Sequence, residues 1–229
     1  MNLIFLMVTM VVSLSLILLA FKRGLPTLYV LIATLYVITN MTAAKIVNIN
    51  IFGIIFPASV AAPLYASLFL ATDMIAENYK KKYAYKAIWF GFGSQICLLI
   101  LGILINLAKS DPASNIANAL NVIFSFTPRL VIGSLVAYLV SQNFDVWFFH
   151  KIKNLTKGKY PALRNILSTL ISQLIDSFLV FSIAFYGVLD NWLAVMISTY
   201  AIKMIVAICD TPFFLVSRKL AKPLKHQHV

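Results

Sequence analysis

Seven stretches of this 229-residue chain are dominated by apolar residues, and the few polar residues inside them recur every third or fourth position. The stretches run roughly Leu3–Phe21, Leu25–Val47, Pro57–Asn78, Tyr83–Leu107, Ile116–Phe149, Asn165–Val188 and Trp192–Val216. About 20 apolar residues suffice to cross a bilayer, so each predicts a membrane-spanning helix. The fifth is too long for one span, and Thr127-Pro128 divides it, because Thr is a good helix cap and Pro suits the first helical position. That predicts a true span over Thr127–Phe149, with Ile116–Phe126 a short interfacial or re-entrant piece packed against it.

The clearest stripe lies in the sixth stretch, where Ser168-Thr169, Ser172-Gln173 and Asp176-Ser177 fall one pair per helical turn. Spacing by four puts these side chains on one helix face. Lipid tails cannot hydrogen-bond them, so that face must meet other helices or a water-filled cavity. In the fifth span Ser134, Tyr138, Ser141 and Asp145 form a second stripe, and in the seventh Thr199, Lys203 and Asp210 form a third. Asp73 and Glu77 sit one turn apart in the third. The stripes predict a shared polar interior, the wall of a solute pathway. The alternative is that Ser and Thr only join helices together, each bond contributing about 0.6 kcal/mol.

Composition agrees with a membrane location. Hydrophobic residues make up 61% of the chain, charged residues 11%, and the mean hydropathy is +0.91. A soluble domain is closer to half apolar and a quarter charged. The expected fold is an all-α polytopic membrane helix bundle of seven transmembrane helices, comprising a six-helix core over about 25–216 and an extra N-terminal helix. Residues 1–229 form a single integral membrane domain ending in a basic tail, 217–229. The first stretch has no basic N-terminal region or small-residue cleavage pattern, so a retained helix is expected over a signal peptide. Cys97 and Cys209 lie inside apolar runs and show no zinc or redox spacing. His150, His226 and His228 show no metal-ligand spacing on a helix face.

The net charge of +12 could suggest nucleic acid, but its placement gives another meaning. One set of alternate connections carries Lys22 and Arg23; Lys80, Lys81, Lys82 and Lys86; Lys151, Lys153, Lys157, Lys159 and Arg164; then Arg218, Lys219, Lys222 and Lys225. The other set carries Lys109 alone. Basic residues mark cytoplasmic loops, which places the C-terminus in the cytoplasm and, with seven spans, the N-terminus outside. The excess is topology signal and attraction to lipid headgroups, and the expected partner is the bilayer with no nucleic acid.

Ionisable groups within spans are costly and usually mark a pathway or a paired site. By rise per residue, Asp176 and Lys203 fall near the midplane on consecutive antiparallel spans and are natural partners. Asp73, Glu77, Asp145 and Asp210 fall toward the cytoplasmic ends, and Lys45 and Arg129 toward the outer ends. Asp176 with Lys203 could be a purely structural ion pair. Asp145, Asp210 and Glu77 could pair with loop lysines, and Arg129 could lock a helix end by bonding carbonyls of the preceding segment.

These residues resemble a known family at several separated places. They are Asn40-x-x-Ala43-x-Lys45, Pro63 with Asp73-x-x-x-Glu77, Thr127-Pro128-Arg129 followed by Ser134, Tyr138, Gln142 and Asp145, then Arg164, Ser168, Gln173, Asp176, Phe181 and Phe185-x-Gly187, and finally Tyr200-x-x-Lys203 and Pro212. The chain resembles the queuosine precursor transporter family, also called the vitamin uptake transporter family, over roughly Leu25 to Val216. It departs from the family pattern in its extra first helix and in Lys80–Lys82, where a glycine commonly follows the acidic motif.

The resemblance implies import of 7-deazaguanine bases, such as the cyano and aminomethyl precursors of queuosine or queuine, for tRNA modification. It implies a multi-pass protein of the cell (inner) membrane, no catalysis and no cofactor. A guanine-like ring offers adjacent N–H donors, which suit one carboxylate accepting both. Asp176 takes that role in this reading, with Gln173 and Lys203 at the acceptor edge and Tyr138 and Phe181 stacking on the base. Ser172 and Arg129 complete the candidate binding set, and Asp73, Glu77 and Asp145 are candidates for proton coupling or a gate. Two other functions are open at this stage. One is a substrate-binding subunit driven by a separate ATPase, since the chain has no G-x-x-x-x-G-K-[ST] loop of its own. The other is an intramembrane enzyme in which Asp73 and Glu77 hold a divalent metal. A homo-oligomer and a monomer are equally compatible with the sequence.

Overall fold

The structure, a computed structural model, describes residues 2–51, 53–108 and 115–221. The expectations for Lys109, Asp111, Lys222, Lys225, His226 and His228 lie outside the described residues. Among the described residues eight α-helices follow one another: α1 (Asn2–Arg23), α2 (Leu25–Thr42), α3 (Ala62–Asn78), α4 (Lys81–Leu107), α5 (Asn115–Leu155), α6 (Pro161–Val180), α7 (Trp192–Cys209) and α8 (Thr211–Leu220). Among the described residues, six helical stretches are long and apolar enough to cross a membrane: Asn2–Arg23, Leu25–Thr42, Lys81–Leu107, Pro128–Leu155, Pro161–Phe185 and Trp192–Leu220. This is the all-α polytopic membrane bundle that the apolar runs predict.

Burial explains the arrangement. In α6 the buried residues are polar throughout (Arg164, Asn165, Ser168, Thr169, Ser172, Gln173, Asp176, Ser177), while Leu167, Ile171, Leu174 and Phe178 are exposed. A helix with its polar face inward and its apolar face outward is adapted to a hydrocarbon solvent. The 17-residue α3 is different, because every residue from Ala62 to Ala76 except Leu64 is buried. It is the central helix of the bundle and packs against α1, α2, α4, α5, α7 and α8. A helix enclosed on all sides carries no lipid-facing stripe.

Three features differ from the pattern expected of the sequence. First, a β-hairpin interrupts the helices, with β1 (Ile46–Ile51) antiparallel to β2 (Ile54–Ser59) in a register that pairs Ile46 with Ser59 and Ile51 with Ile54. The second apolar run therefore ends as helix at Thr42 rather than Val47, and the third begins as strand. Gly53 turns the hairpin at φ +86°, with its N–H donating to Asn50 Oδ1 at 2.9 Å. A positive φ favours glycine there.

Second, α5 is one continuous 41-residue helix with Pro128 inside it. The division expected at Thr127-Pro128 is absent. Pro128 removes one backbone N–H from the ladder, and the helix carries on through it; Ile116–Phe126 is its first three turns rather than a separate piece. Third, α6 passes into a π-helical turn over Phe181–Phe185, and α7 is separated from α8 at Asp210. Pro212, which suits a helix's first turn, begins the new axis.

The basic connections gather at one end of the bundle. There Phe21 packs edge-on against Tyr79, the Tyr29 hydroxyl donates to the Tyr83 carbonyl, and Glu77 pairs with Lys153, Arg164 and Arg218. The hairpin lies at the other end beside the start of α1, where Asn2 Nδ2 donates to the Asn48 carbonyl at 2.7 Å. Leu6, Ile49 and Ala58 bury together there, with Ile202 of α7 packed on them.

Candidate functional site

Ser59, the last residue of β2, ties the hairpin end together. Its hydroxyl donates to the Ala43 carbonyl at 2.8 Å and accepts from the Ala61 N–H at 3.2 Å, and its own N–H donates to Thr199 Oγ1 at 3.3 Å. One side chain thus fixes the end of α2, the start of α3 and the middle of α7. Below it lies a cavity enclosing about 430 Å³ of atom-free space, mouth included. Thr39 and Asn40 of α2, Tyr65 of α3, Ser134 of α5, Asp176 and Phe181 from the end of α6, and Lys203 of α7 line it.

Asp176 is buried and densely bonded. Its Oδ1 accepts from the Tyr65 hydroxyl at 2.5 Å and the Ser141 hydroxyl at 3.2 Å. Its Oδ2 pairs with Lys203 Nζ at 2.9 Å. Lys203 also donates to the Ser177 hydroxyl at 3.0 Å and sits 4.7 Å from the centre of the Tyr65 ring. Three donors on one carboxylate and a ring beneath the ammonium offset the loss of water around both charges. Phe181 and Phe185 also line the cavity and stack on each other with centroids 4.9 Å apart at 28°, giving its lining an aromatic part.

Of the residues named from sequence as binding candidates, Asp176, Lys203 and Phe181 meet at this cavity. The other four are placed elsewhere. The Tyr138 hydroxyl donates to the Ile88 carbonyl at 2.7 Å, and its ring packs 4.5 Å from that of Tyr36, fully buried between α2, α4 and α5. Its ring has no face free for stacking on a ligand. The Ser172 hydroxyl donates to Asp145 Oδ1 at 2.8 Å. Gln173 is 1% exposed, and neither atom of its amide has a hydrogen-bond partner. Arg129 is exposed at the start of the apolar part of α5, donating to the Ile183 carbonyl at 3.1 Å and the Tyr186 carbonyl at 2.6 Å. It locks carbonyls of the π-turn that follows α6, not of the segment preceding it.

The candidate coupling acids form a second polar layer nearer the basic end. Asp73 accepts from the Thr169 hydroxyl at 2.9 Å and lies beside Asp145, and Asp73 Oδ1 and Asp145 Oδ2 have no hydrogen-bond partner. Asp210 accepts from Asn165 Nδ2 at 3.0 Å. All three carboxyl groups are buried, and among the described residues none has a lysine or arginine within ion-pair distance. Glu77, one turn beyond Asp73, does have such partners. Lys153 and Arg218 each lie 2.9 Å from it, and the fully buried Arg164 also contacts it. Asp73 and Glu77 thus serve separate networks. Pairing with basic residues of the cytoplasmic end, the alternative open from sequence for Asp145, Asp210 and Glu77, describes Glu77 but neither Asp145 nor Asp210.

Tyr65 and the Asn40–Thr39 pair are cavity residues that the polar stripes do not mark. Tyr65 lies on a helix buried all round, so no amphipathic pattern singles it out.

Helices with polar faces turned inward, around a half-enclosed cavity that holds a buried ion pair in a largely apolar lining, define a membrane carrier for a small solute. The family described as "Putative vitamin uptake transporter" matches residues 59–217, more than half of the chain, and the chain belongs to that family. It is also 34% identical over 198 residues, covering 84% of each chain, to a Bacillus subtilis (strain 168) protein named "Probable queuosine precursor transporter". No solved structure matches it.

Proposed function

We propose that this chain imports queuosine precursors, 7-deazaguanine bases used in tRNA modification, across the cell (inner) membrane. The name of the Bacillus subtilis relative supports the substrate class. The observation that carries it physically is a cavity lined by a stacked pair of phenylalanines and by a buried Asp176–Lys203 pair. A flat heterocycle rich in hydrogen-bonding groups fits such a lining, as nucleobases do on aromatic side chains. In this proposal Phe181 and Phe185 hold the ring face, while Lys203, Ser134 and Thr199 address its acceptor edge.

The chain crosses the bilayer seven times, with α3 as the enclosed seventh span and the basic end in the cytoplasm, following the distribution of lysine and arginine. The cavity then lies in the outer half. Alternating access would open it to the cytoplasm through the layer of Asp73, Asp145 and Asp210 and past the Glu77 lock.

Uptake of labelled 7-deazaguanine bases into cells that cannot make them tests this function. Accumulation that depends on the gene supports it, and equal accumulation without the gene would refute it. Repeating the assay in a host lacking any vitamin-uptake ATPase separates an autonomous carrier from a subunit driven by ATP.

A further inference from the structure

Asp176 is largely committed within the protein, because Tyr65, Ser141 and Lys203 take three of the roughly four acceptor sites of its carboxylate. The acceptors without partners are on α2. Asn40 Oδ1 and Thr39 Oγ1 both lack a hydrogen bond, although their residues are only 3% and 5% exposed and both line the cavity. The orientation of the Asn40 amide is fixed by chemistry. Its other terminus lies 3.0 Å from the Tyr36 carbonyl, and a carbonyl only accepts, so the NH₂ must face Tyr36 and the oxygen must point away from it. Thr39 is likewise unusual, since Thr34 and Thr42 return their hydroxyls to a carbonyl four residues earlier and Thr39 does not. Buried polar atoms are almost always bonded, and those left over call for an explanation.

Building on the proposed function, we infer that Asn40 and Thr39 form the subsite that reads the N–H donor edge of the transported base. Asn40 Oδ1 accepts from the exocyclic amine, and the Thr39 hydroxyl beside it accepts from the ring N–H. The ligand class follows from the chemistry. It is a neutral planar heterocycle with adjacent amide N–H and amino donors, held against an uncharged acceptor while the Asp176–Lys203 pair stays intact.

The test compares uptake of a 7-deazaguanine base with its analogue lacking the exocyclic amine, in the wild type, N40A and T39V, each normalised to the amount of protein in the membrane. The wild type should prefer the amino compound. N40A should raise the KM for it about ten- to a hundredfold and raise the KM for the des-amino analogue far less, while its amount in the membrane shows that the variant is folded. T39V should weaken both compounds to a smaller and similar extent, because both keep the ring N–H. If N40A does not reach the membrane, T39V carries the test. Equal losses for both compounds in N40A, or no loss in either variant, would overturn the inference while wild-type uptake still supported the function. Absence of wild-type uptake of either compound would overturn both.

Discussion

Lys203 Nζ and Asp176 Oδ2 lie 2.9 Å apart on consecutive helices, with 6% and 1% of the two side chains exposed. Removing one member of such a pair strands the other charge away from water, at a cost of about 3–5 kcal/mol. D176N and K203M should each lower the melting temperature of the detergent-purified protein and abolish uptake. The double variant, which leaves two neutral groups, should recover most of the thermal stability and none of the transport. Restored uptake in the double variant would make the pair purely structural.

Equal depth on neighbouring spans makes this contact legible in the sequence, and the inward stripes of α5, α6 and α7 are legible for the same reason: a helix in lipid must hide its polar face. The hairpin has a signal of its own in the alternation Ile46, Asn48, Asn50 against Val47, Ile49, Ile51, with Gly53 at the turn. Apolar length obscures it, since strand and span draw on the same residues. Pro128 misleads for a different reason, because a helix packed on neighbours tolerates the lost hydrogen bond. The positions of Tyr138 and Arg129 are not legible at all. Both lie on polar stripes or at span ends, but their partners are the carbonyls of Ile88, Ile183 and Tyr186, and a backbone carbonyl leaves no mark in a sequence.

Gly91 of α4 is where helix packing is least forgiving. A Cβ there would stand 2.6 Å from the Tyr138 hydroxyl and 2.6 Å from Tyr36 Cε2, whereas one at Gly93 would meet nothing within 4 Å. G91A should therefore destabilise by about 1–3 kcal/mol through overpacking. G93A should be neutral or stabilise by up to about 1 kcal/mol through helix propensity. Thermal unfolding of the two variants side by side checks this, and equal midpoints would refute the packing argument.

Glu77 holds three cations of very different exposure: the side chain of Arg164 is 0% exposed, that of Lys153 32% and that of Arg218 40%. Exposed partners contribute about 0–1 kcal/mol, and a buried one left alone costs several times more. R218A and K153A should thus shift thermal stability little. E77Q, which leaves the Arg164 guanidinium buried without its anion, should destabilise strongly. R218A as damaging as E77Q would show that the exposed pair, not burial, holds this end closed.

The layer of Asp73 and Asp145 bears on energy coupling. Asp73 Oδ1 and Asp145 Oδ2 are buried without a hydrogen-bond partner, and among the described residues no lysine or arginine lies within ion-pair distance of either carboxyl group. Acids buried in a membrane span without a cation are the groups that relay protons in transporters, and these two stand on α3 and α5 between the cavity layer and the Glu77 lock. D145N and D73N keep the size of the side chain but remove the exchangeable proton. Each variant should lose most of the stimulation of uptake by an imposed inward proton gradient. Exchange of labelled for unlabelled base at equal pH on both sides should continue, because that half-cycle moves substrate without net proton flow. Vesicles loaded at two pH values measure both quantities. A gradient response as large as that of the wild type in both variants would remove this layer from coupling and leave it a structural join between two helices.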